Sequence, residues 1–524
     1  MTENEQRIMP RIDAGEPVDL SGGDPPHRTV RAAWLGERLV EAPPSDGGRI
    51  RPIKIRGALF TGPLDLEACT LTRPLLLDGC DFDDVVTLND ASALTVRLHG
   101  CHLPGLSARS LRTTGDLELN DGSTVEGPVD LLGATIGGKL SLRRARLTNP
   151  GGRALNADRL AVNHGLHCGG GFTAEGEVRL LGAHIDGRLV LQDAHLSNAG
   201  GTALQANWLT VGQHMLCENL RAEGSIRLAG ARISYLDMSR ADLKAPGGTA
   251  LDGYGLIVEH DVQCGSGFTA EGEVRIKGAR IGGACDFTGA RLRNSGQQAL
   301  DLEAARADEL ILLPGEAPDG LVNLTNAQVR VFHDAQATWP AVLRLHGFTY
   351  GTLADDGTDG RQRLRWLARD RGGYTPQAYD QLAAAYRRAG REEAARQVAI
   401  AKQRHRRHVL GLGGKLANWL LYLTVGYGYR TRLAAGWLAG LLLAGTWIFA
   451  HAHPGAMTRS SPDGPAFNAF AYTLDVLLPV IDLGQQKAWQ PHGTAMYCSW
   501  ALIAAGWILT TAVVAGLTGV IKRD

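Results

Sequence analysis

Apolar and polar residues alternate in short runs along most of the chain, and each run is followed by a small residue and then a branched one. Such segments are Leu132-Gly-Ala-Thr-Ile136, Arg144-Ala-Arg-Leu147, Gly182-Ala-His-Ile185 and Gly289-Ala-Arg-Leu292. Alternation over so few residues has the period of a β-strand and not that of a helix. The pattern therefore predicts many short strands joined by tight turns.

The pattern repeats with a period of 48 residues. The segment Phe172–Arg179 recurs as Phe268–Arg275, 96 positions later, and a weaker copy at Ala222–Arg227 lies halfway between them. Two sets of glycines keep the same period: Gly127, Gly176, Gly224, Gly272 and Gly320, and a Gly-Gly-x-Ala-Leu landmark that starts at Gly151, Gly200 and Gly247 and weakens at Gly296. Self-similarity at a fixed period of this length indicates a repeat protein.

Short strands within such a repeat predict a mainly β fold, a right-handed parallel β-helix over residues 50–350. One repeat corresponds to two coils of about 20 to 25 residues, each advancing about 4.8 Å along the axis. Branched residues would form inward ladders, and Ala or Cys would fit where the wall turns. The Ala-x-Leu beat from Leu64 to Leu324 resembles that of pentapeptide-repeat proteins, which implies the same solenoid. Two Pro-Gly-Gly loops, at Pro150 and Pro246, should leave the same side of the stack, where repeat proteins vary their binding surface.

Composition and charge predict that this solenoid lies in the cytoplasm. The 67 glycines and 6% aromatic residues suit stacked coils better than a compact enzyme core. The polar segment 1–49 begins without an apolar run, so we expect no signal peptide, and the eight cysteines should stay as thiols. Residues 51–344 hold 34 acidic and 28 basic residues, whereas 351–409 hold 7 acidic and 13 basic ones. The basic stretch predicts contact with anionic lipid, and it lacks the aromatic residues of a nucleic-acid platform.

Two motifs suggest ligand chemistry, and each also has a purely structural interpretation. Gly133–Lys139 nearly matches a phosphate-binding loop, but Leu140 replaces the required Ser or Thr, and a strand instead of a helix should follow. A recurring histidine and cysteine cluster could hold zinc only if four ligands converged, yet its cysteines are two coils, roughly 10 Å, apart. The cluster comprises His164, His167, Cys168, His214, Cys217, His260 and Cys264. Since no dinucleotide fingerprint, zinc-protease pair or nucleophile elbow occurs in context, we predict no catalytic residue, cofactor or metal.

The C-terminal third changes to helical and apolar patterns. Residues 361–410 read as a basic helical neck, and 411–524 as a membrane domain with an interfacial helix at 416–429 and spans at 433–451 and 496–521. Each span can cross a hydrocarbon core of about 30 Å. Flanking basic residues predict a multi-pass protein of the inner (plasma) membrane with both termini in the cytoplasm. The side chains expected at lipid headgroups are Lys402, Arg404, Arg406, Arg407, Arg430 and Arg432.

The segment 467–484 between the spans has two readings. It contains Asp475, Pro479 and Asp482 and ends at Gly484, so it either forms an external amphipathic helix or dips back into the membrane.

The second reading gives the layout of an ion-channel pore domain. Asp475 or Asp482 would then ring the mouth, and Gly516 would be a hinge in the second span. Against this, Gly426-Tyr-Gly428, which mimics a potassium filter, precedes the first span, and no filter sequence follows the re-entrant segment.

The whole arrangement resembles a group of actinobacterial two-span membrane proteins with a repeat-rich N-terminal part. Tyr427–Arg430 and Leu478–Gln485 (Leu-Pro-Val-Ile-Asp-Leu-Gly-Gln) carry the resemblance. Proteins of this group are often catalogued as membrane-associated oxidoreductases, although these residues contain no redox site.

The leading hypothesis is a non-catalytic membrane scaffold whose solenoid flank binds an unidentified cytoplasmic protein. The first alternative is a gated ion channel with the solenoid as its regulatory domain, and the second is an oxidoreductase, by the resemblance alone. A homo-oligomer is left open, because a pore needs several copies and an anchor needs one.

Overall fold

The computed structural model describes residues 1–41, 50–354, 360–409, 431–460, 465–478 and 480–521. The chain forms two compact units, Met1–Gln381 and Leu382–Asp524.

The first unit is a parallel β-solenoid over residues 53–353, which confirms the predicted fold class. One sheet contains the 22 strands Val18–Asp19, Ile53–Arg56, Leu75–Asp78, Ser92–Ala93, Val96–His99, Arg112–Thr113, Leu117–Asn120, Thr135–Ile136, Lys139–Ser141, Ala161–Val162, Gly165–His167, His184–Ile185, Arg188–Val190, Thr210–Leu216, Arg232–Asp237, Ile257–Val258, Val262–Gln263, Arg280–Ile281, Ala284–Asp286, Arg306–Leu312, Gln328–Asp334 and Thr349–Leu353. The other sheet contains the 18 strands Thr29–Arg31, Leu59–Thr61, Leu64–Asp65, Asp81–Phe82, Val86–Thr87, His102–Leu103, Leu106–Ser107, Thr124–Val125, Val129–Asp130, Arg146–Asn156, Thr173–Arg179, His195–Gln205, Arg221–Arg227, Asp242–Asp252, Thr269–Arg275, Arg291–Asp301, Asp319–Asn323 and Val342–Arg344.

Inward apolar ladders form the core. One of them takes a single residue from each successive coil: Ile53, Leu75, Val96, Leu117, Leu140, Leu166, Leu189, Met215, Leu236, Val262, Cys285, Leu310 and Phe332. All of these side chains are buried. Each member covers the apolar surface of the next, so removal from water stabilises the whole column.

The repeat of 48 residues is two coils of unequal length. Leu140 pairs with Leu166 and Leu166 with Leu189, so one coil takes 26 residues and the next takes 23. The sequence period therefore measures every second coil.

The small residue of the sequence pattern lies where the wall turns. Ala134, Ala183, Ala231 and Ala279 are buried. The backbone N–H of each donates to the carbonyl three residues earlier, at 3.0 to 3.3 Å. A larger side chain would have no room inside such a turn, which explains the alternation of small and branched residues.

The described helices are α1 (Glu3–Asp13), α2 (Pro25–Arg28), α3 (Ala32–Val40), α4 (Gly360–Leu367), α5 (Pro376–Arg388), α6 (Glu392–Val409), α7 (Thr431–Ala452), α8 (Ala469–Leu477), α9 (Gln485–Ala488) and α10 (Thr494–Ile521). A 3-10 turn spans Gln336–Thr338, and an antiparallel pair joins Met457–Arg459 to Trp489–Pro491.

Helices α1 and α3 cover the N-terminal end of the solenoid. Trp34 and Leu35 are buried, and Gly36 lies within van der Waals distance of the side chains of Leu64 and Leu66 in the first coil. Residues 1–49 were expected from the sequence only to be polar, and this cap was not predicted. Its apolar residues are few, and they acquire a buried face only when the first coil is present.

A buried ion pair holds α4 at the C-terminal end of the stack. The guanidinium of Arg363 donates two hydrogen bonds to the Asp334 carboxylate, at 2.7 and 2.6 Å, and both side chains are buried. The same guanidinium lies 4.8 Å from the ring centroid of Trp366 and 5.2 Å from that of Trp339. A buried pair of this kind is costly to break, because the remaining charge would have no compensation. It therefore closes the last coil against water.

Candidate functional site

Four long strands of the 18-stranded sheet each carry a bulge, and the bulges stack on one wall. In the strand Arg146–Asn156, Thr148 and Arg153 pair with Glu175 and Glu177, so residues 149–152 stand opposite Gly176 alone. The other bulges are residues 198–201, 245–248 and 294–297. The two predicted Pro-Gly-Gly loops thus lie in bulges of the same wall.

Each bulge requires a glycine opposite it. The residues facing the bulges, Gly176, Gly224, Gly272 and Gly320, have φ of +119°, +117°, +125° and +140°. A Cβ on Gly272 would lie 2.5 Å from the carbonyl oxygen of Ala245, which is closer than nonbonded atoms can approach. This contact explains the first glycine landmark of the sequence.

The second glycine landmark forms the bulge tips. Gly151, Gly200, Gly247 and Gly296 have φ between +72° and +75°, and a Cβ added to any of them would meet no described atom within 4 Å. Three bulges are closed by an asparagine, because the Nδ2 atoms of Asn149, Asn198 and Asn294 donate to a backbone carbonyl four residues later at 2.7 to 2.9 Å. The landmarks are therefore turn chemistry and not ligand contacts.

Grooves lie between the bulges. Bulges occur on every second coil, about 10 Å apart along the axis. Between the bulges 198–201 and 245–248 a cavity of about 510 Å³ has Glu223, Gly224 and Ser225 as its floor. A second cavity of about 680 Å³ adjoins it and shares Glu223 and Lys244. We call these two cavities together the flank groove.

The flank groove is lined by both signs of charge. Arg221 and Asp242 line its second cavity. The Ser197 hydroxyl donates to Glu223 at 3.1 Å, and the Lys244 amino group lies 3.3 Å from the Asp242 carboxylate. These groups are set by the strand register, since Glu223 pairs directly with Ser197 on one side and Lys244 on the other. Such a surface suits a polar segment of another protein, for which alternating charges give register and specificity.

Two exposed aromatic side chains on the solenoid were not predicted as site residues. Trp208 is 70% exposed, and its ring lies on Gly230, where a Cβ would meet ring carbons at 2.6 Å. Tyr254 is also exposed, and its carbonyl accepts the N–H of Gly230. Each is a lone aromatic in the sequence, and only the coil stacking brings the two to one corner.

The two ligand motifs take the structural interpretations. Lys139 begins the strand Lys139–Ser141, so the phosphate-loop lookalike leads into a strand as predicted. Within the histidine and cysteine cluster, Cys168 and Cys217 are buried while His164 and His214 are exposed, so their side chains lie on different sides of the wall. Burial raises the pKa of the Cys168 thiol to about 12, which opposes the thiolate that zinc requires. Among the described residues, no group of three or more His, Cys, Asp or Glu could hold a metal ion.

The second unit contains a helical hairpin, α7 and α10, with the short helix α8 between its arms. Phe449 of α7 and Tyr472 of α8 stack edge to face with ring centroids 4.8 Å apart. A Cβ on Gly445 of α7 would meet the Thr473 side chain at 2.4 Å, and one on Gly506 of α10 would meet the Leu477 carbonyl at 1.9 Å. Small residues at these two points let α8 approach both arms closely.

These contacts show that residues 467–484 re-enter the hairpin. Near the loop end of the hairpin, the Gln485 side chain contacts the backbone of Ala466 and Asn468, at 2.9 and 3.3 Å. Leu477, at the other end of α8, touches Gly506, which is twelve residues into α10 or about 18 Å from Thr494. The chain thus runs in along α8 and is back at the loop end by Gln485. Of the two readings left open by the sequence, the geometry of the hairpin matches the re-entrant one.

The carboxylates of this segment differ in environment. Asp475 is buried, and its oxygens accept the backbone N–H groups of Leu483 at 2.8 Å and Gln486 at 2.9 Å. Asp482 is exposed and pairs with Lys487. Gly484 has φ +71° and precedes α9. Asp475 therefore holds the returning loop in place, and Asp482 is the carboxylate that can face a pore or a partner.

Both arms of the hairpin carry exposed apolar side chains. These include Trp437, Leu443, Trp447, Tyr497, Trp500, Trp507 and Ile508. One described helix, α10, is long and apolar enough to cross a membrane, through its window Thr494–Thr511, and Gly436–Ala452 of α7 is a shorter apolar stretch. This result supports one candidate span and does not by itself establish the two-span topology.

Part of the predicted lipid contact falls on described residues. Lys402, Arg404 and Arg406 lie in α6, where Arg404 and Arg406 are exposed. The side chains of Arg407 and Arg432, the residues Arg430 and Pro479, and the predicted interfacial helix 416–429 lie outside the described residues.

Comparison with protein-family models, curated proteins and solved structures gives no match. The resemblance to actinobacterial membrane proteins and the oxidoreductase label therefore stay predictions.

We expect Gly272→Ala to destabilise the solenoid more than Gly247→Ala. Both changes place alanine at positive φ, which costs about 1 kcal/mol, but only the Gly272 change drives a Cβ into the Ala245 carbonyl, for a further 1 to 3 kcal/mol, roughly. Guanidinium unfolding followed by β-sheet circular dichroism measures the difference. Equal midpoints for the two variants would show that the bulge backbone yields freely.

Gly506→Ala should displace α8 from the hairpin. Its Cβ would overlap the Leu477 carbonyl, whereas a Cβ on Gly440 in α7 would meet no described atom within 4 Å. We expect faster amide hydrogen exchange in residues 470–477 for Gly506→Ala and unchanged exchange for Gly440→Ala. Unchanged exchange in both variants would contradict the close packing of α8 on α10.

Proposed function

We propose that the chain is a membrane-anchored scaffold. The solenoid binds a cytoplasmic protein along the flank groove, and the arms α7 and α10 hold it at the inner membrane with both termini in the cytoplasm. Binding is a function of the wall, and anchoring is a function of the hairpin.

The stack of bulges is the observation that carries the binding half of the proposal. In the described chain, coils that precede Arg146 have no bulge on this wall, as between Asp81–Phe82 and Val86–Thr87, and they continue the same ladder of paired strands. The fold therefore does not need the bulges. Insertions repeated on every second coil build relief on one side, and loops and relief of this kind are where repeat proteins place their binding surface.

The chemistry of the flank groove favours a protein partner over nucleic acid. Glu223 and Asp242 lie beside Arg221 and Lys244, so the surface has no excess of positive charge for phosphates. An exposed, polar segment of a folded protein could pair with both signs.

The exposed apolar side chains of the hairpin carry the anchoring half. Leu443 of α7 is 71% exposed, and Trp447 and Ile508 are also exposed. Large apolar side chains in such number on two adjacent helices are costly in water and favourable in lipid. In this arrangement the basic residues of α6, Lys402, Arg404 and Arg406, contact anionic lipid headgroups.

A photo-crosslinking amino acid at Ala199, an exposed bulge residue, tests the binding half. We expect a discrete adduct in cells, and we expect the charge reversal Lys244→Glu in the same chain to reduce it at least tenfold. Asp84 is the matched control, since it is exposed on the same wall in a coil without a bulge. Identical adducts from both positions, or none from Ala199, would refute a binding surface on the bulges.

Membrane extraction tests the anchoring half. The double variant Leu443→Lys, Ile508→Lys places two charges on the outer faces of the arms, each costing about 3 kcal/mol at the centre of a bilayer. We expect the wild-type chain to stay in membranes washed at alkaline pH and the double variant to be released. Val85→Lys on the solenoid is the control and should be retained. Release of the wild-type chain would sink the proposal.

An ion-conducting pore is a second candidate, favoured by the re-entrant course of residues 467–484. A helix followed by an extended return between two long helices is how channels bring backbone and side-chain oxygens to a central path. Purified protein in planar bilayers should then conduct cations, and Asp482→Asn should lower the conductance. Absence of conductance in bilayers that demonstrably contain the protein would remove this candidate.

A further inference from the structure

We infer that the described part of the re-entrant loop, residues 478 and 480–484, is covered by further copies of this same chain. The inference rests on the proposed insertion of the hairpin into a membrane, and it names the partner of the hairpin.

The first step concerns depth. Because Leu477 touches Gly506, the loop starts about 18 Å along α10, inside the apolar window Thr494–Thr511. The deep part of the loop is therefore level with the middle of that window, while Gln485 is back at the loop end of the hairpin.

The second step concerns the backbone. Residues 478 and 480–484 are not helical. Their described N–H groups form local bonds, since Ile481 donates to the Leu478 carbonyl, Leu483 to the Asp475 side chain and Gly484 to the Asp482 side chain. Non-helical backbone at membrane depth is tolerated only where protein or a water-filled cavity surrounds it, because lipid offers no hydrogen-bond partner. Lipid is therefore excluded as the neighbour of this loop.

The third step concerns exposure. In the single chain Val480 is 84% exposed, and Ile481, Leu483 and Phe470 are exposed beside it. Two helical arms and α8 form a structure with one covered side, since the buried residues of α8, Tyr472, Thr473 and Val476 among them, face the arms. The open side presents the loop.

A second copy is the occupant that fits this open side. The exposed loop residues Val480, Ile481 and Leu483 are apolar and uncharged, so they complement the equally apolar arms of a neighbouring hairpin without burying an unpaired charge. Copies arranged with their loops toward a common axis would cover every loop or enclose it in a shared aqueous cavity. The outer faces of the arms, marked by Leu443 and Trp447, would remain in lipid.

Cysteine crosslinking in native membranes tests this arrangement. The background carries Cys69→Ser and Cys498→Ser, since these are the two cysteines that are not fully buried. We expect Val480→Cys to form a disulfide-linked dimer upon oxidation, at a yield at least tenfold above that of Leu443→Cys. Leu443 is a matched control, because it is 71% exposed and lies two residues from Gly445, which packs against α8.

The mass of the wild-type particle in lipid nanodiscs provides a second measurement that needs no variant. A mass of two or more chains together with selective crosslinking at residue 480 supports the inference. A monomeric mass, or equal crosslinking at 480 and 443, overturns it while leaving membrane anchoring intact. Release of the wild-type chain from alkali-washed membranes overturns both anchoring and the inference, so the two failures are distinguishable.

Discussion

Everything in the solenoid depends on one constraint, the burial of each coil's apolar edge by the next coil under a continuous ladder of parallel hydrogen bonds. A single coil has no core of its own, and it becomes stable only as a member of the stack. Residues that point inward must therefore keep their register from coil to coil, as Leu140, Leu166 and Leu189 do. The two ends of the stack remain open edges, and they are covered by helices, with Trp34 buried at one end and the Arg363–Asp334 pair at the other.

Because register is demanded only inside, the outer wall is free to vary. An insertion of four residues at 149–152 or 245–248 leaves the inward ladder intact, provided that a glycine faces it in the adjacent coil. The flank groove is a direct result of this freedom. It appears where bulges skip a coil, and its charged residues alternate because neighbouring coils contribute Glu223 and Lys244 to adjacent rungs of the same ladder. A binding surface of this type can change without any change in the core.

In the helical hairpin the corresponding constraint is close approach at two glycines. Gly445 and Gly506 let α8 lie against both arms, and the position of Gly506 sets how far the chain runs in before it returns. Asp475 then holds the return by accepting two backbone N–H groups. A buried carboxylate that is bonded in this way organises its own loop, so the structural role of Asp475 differs from the exposed position of Asp482. The loop that results has apolar side chains on its open side, and this feature joins the anchoring proposal to self-association.

The sequence by itself determined the parts of this protein that follow from periodicity. The period of 48, the alternation of apolar residues and the small residue at each turn were sufficient for the parallel solenoid, because one coil repeats many times and each copy reinforces the same signal. The apolar stretch near the C-terminus was visible for a similar reason, since span length is a property of composition. Tertiary structure alone decided which distant residues meet. Trp208 and Tyr254 share a corner, Arg363 finds Asp334, and Leu477 reaches Gly506, and none of these contacts leaves a periodic trace. The N-terminal cap and the depth of the re-entrant segment belong to the same class, because each depends on a surface that exists only after the rest of its unit has folded.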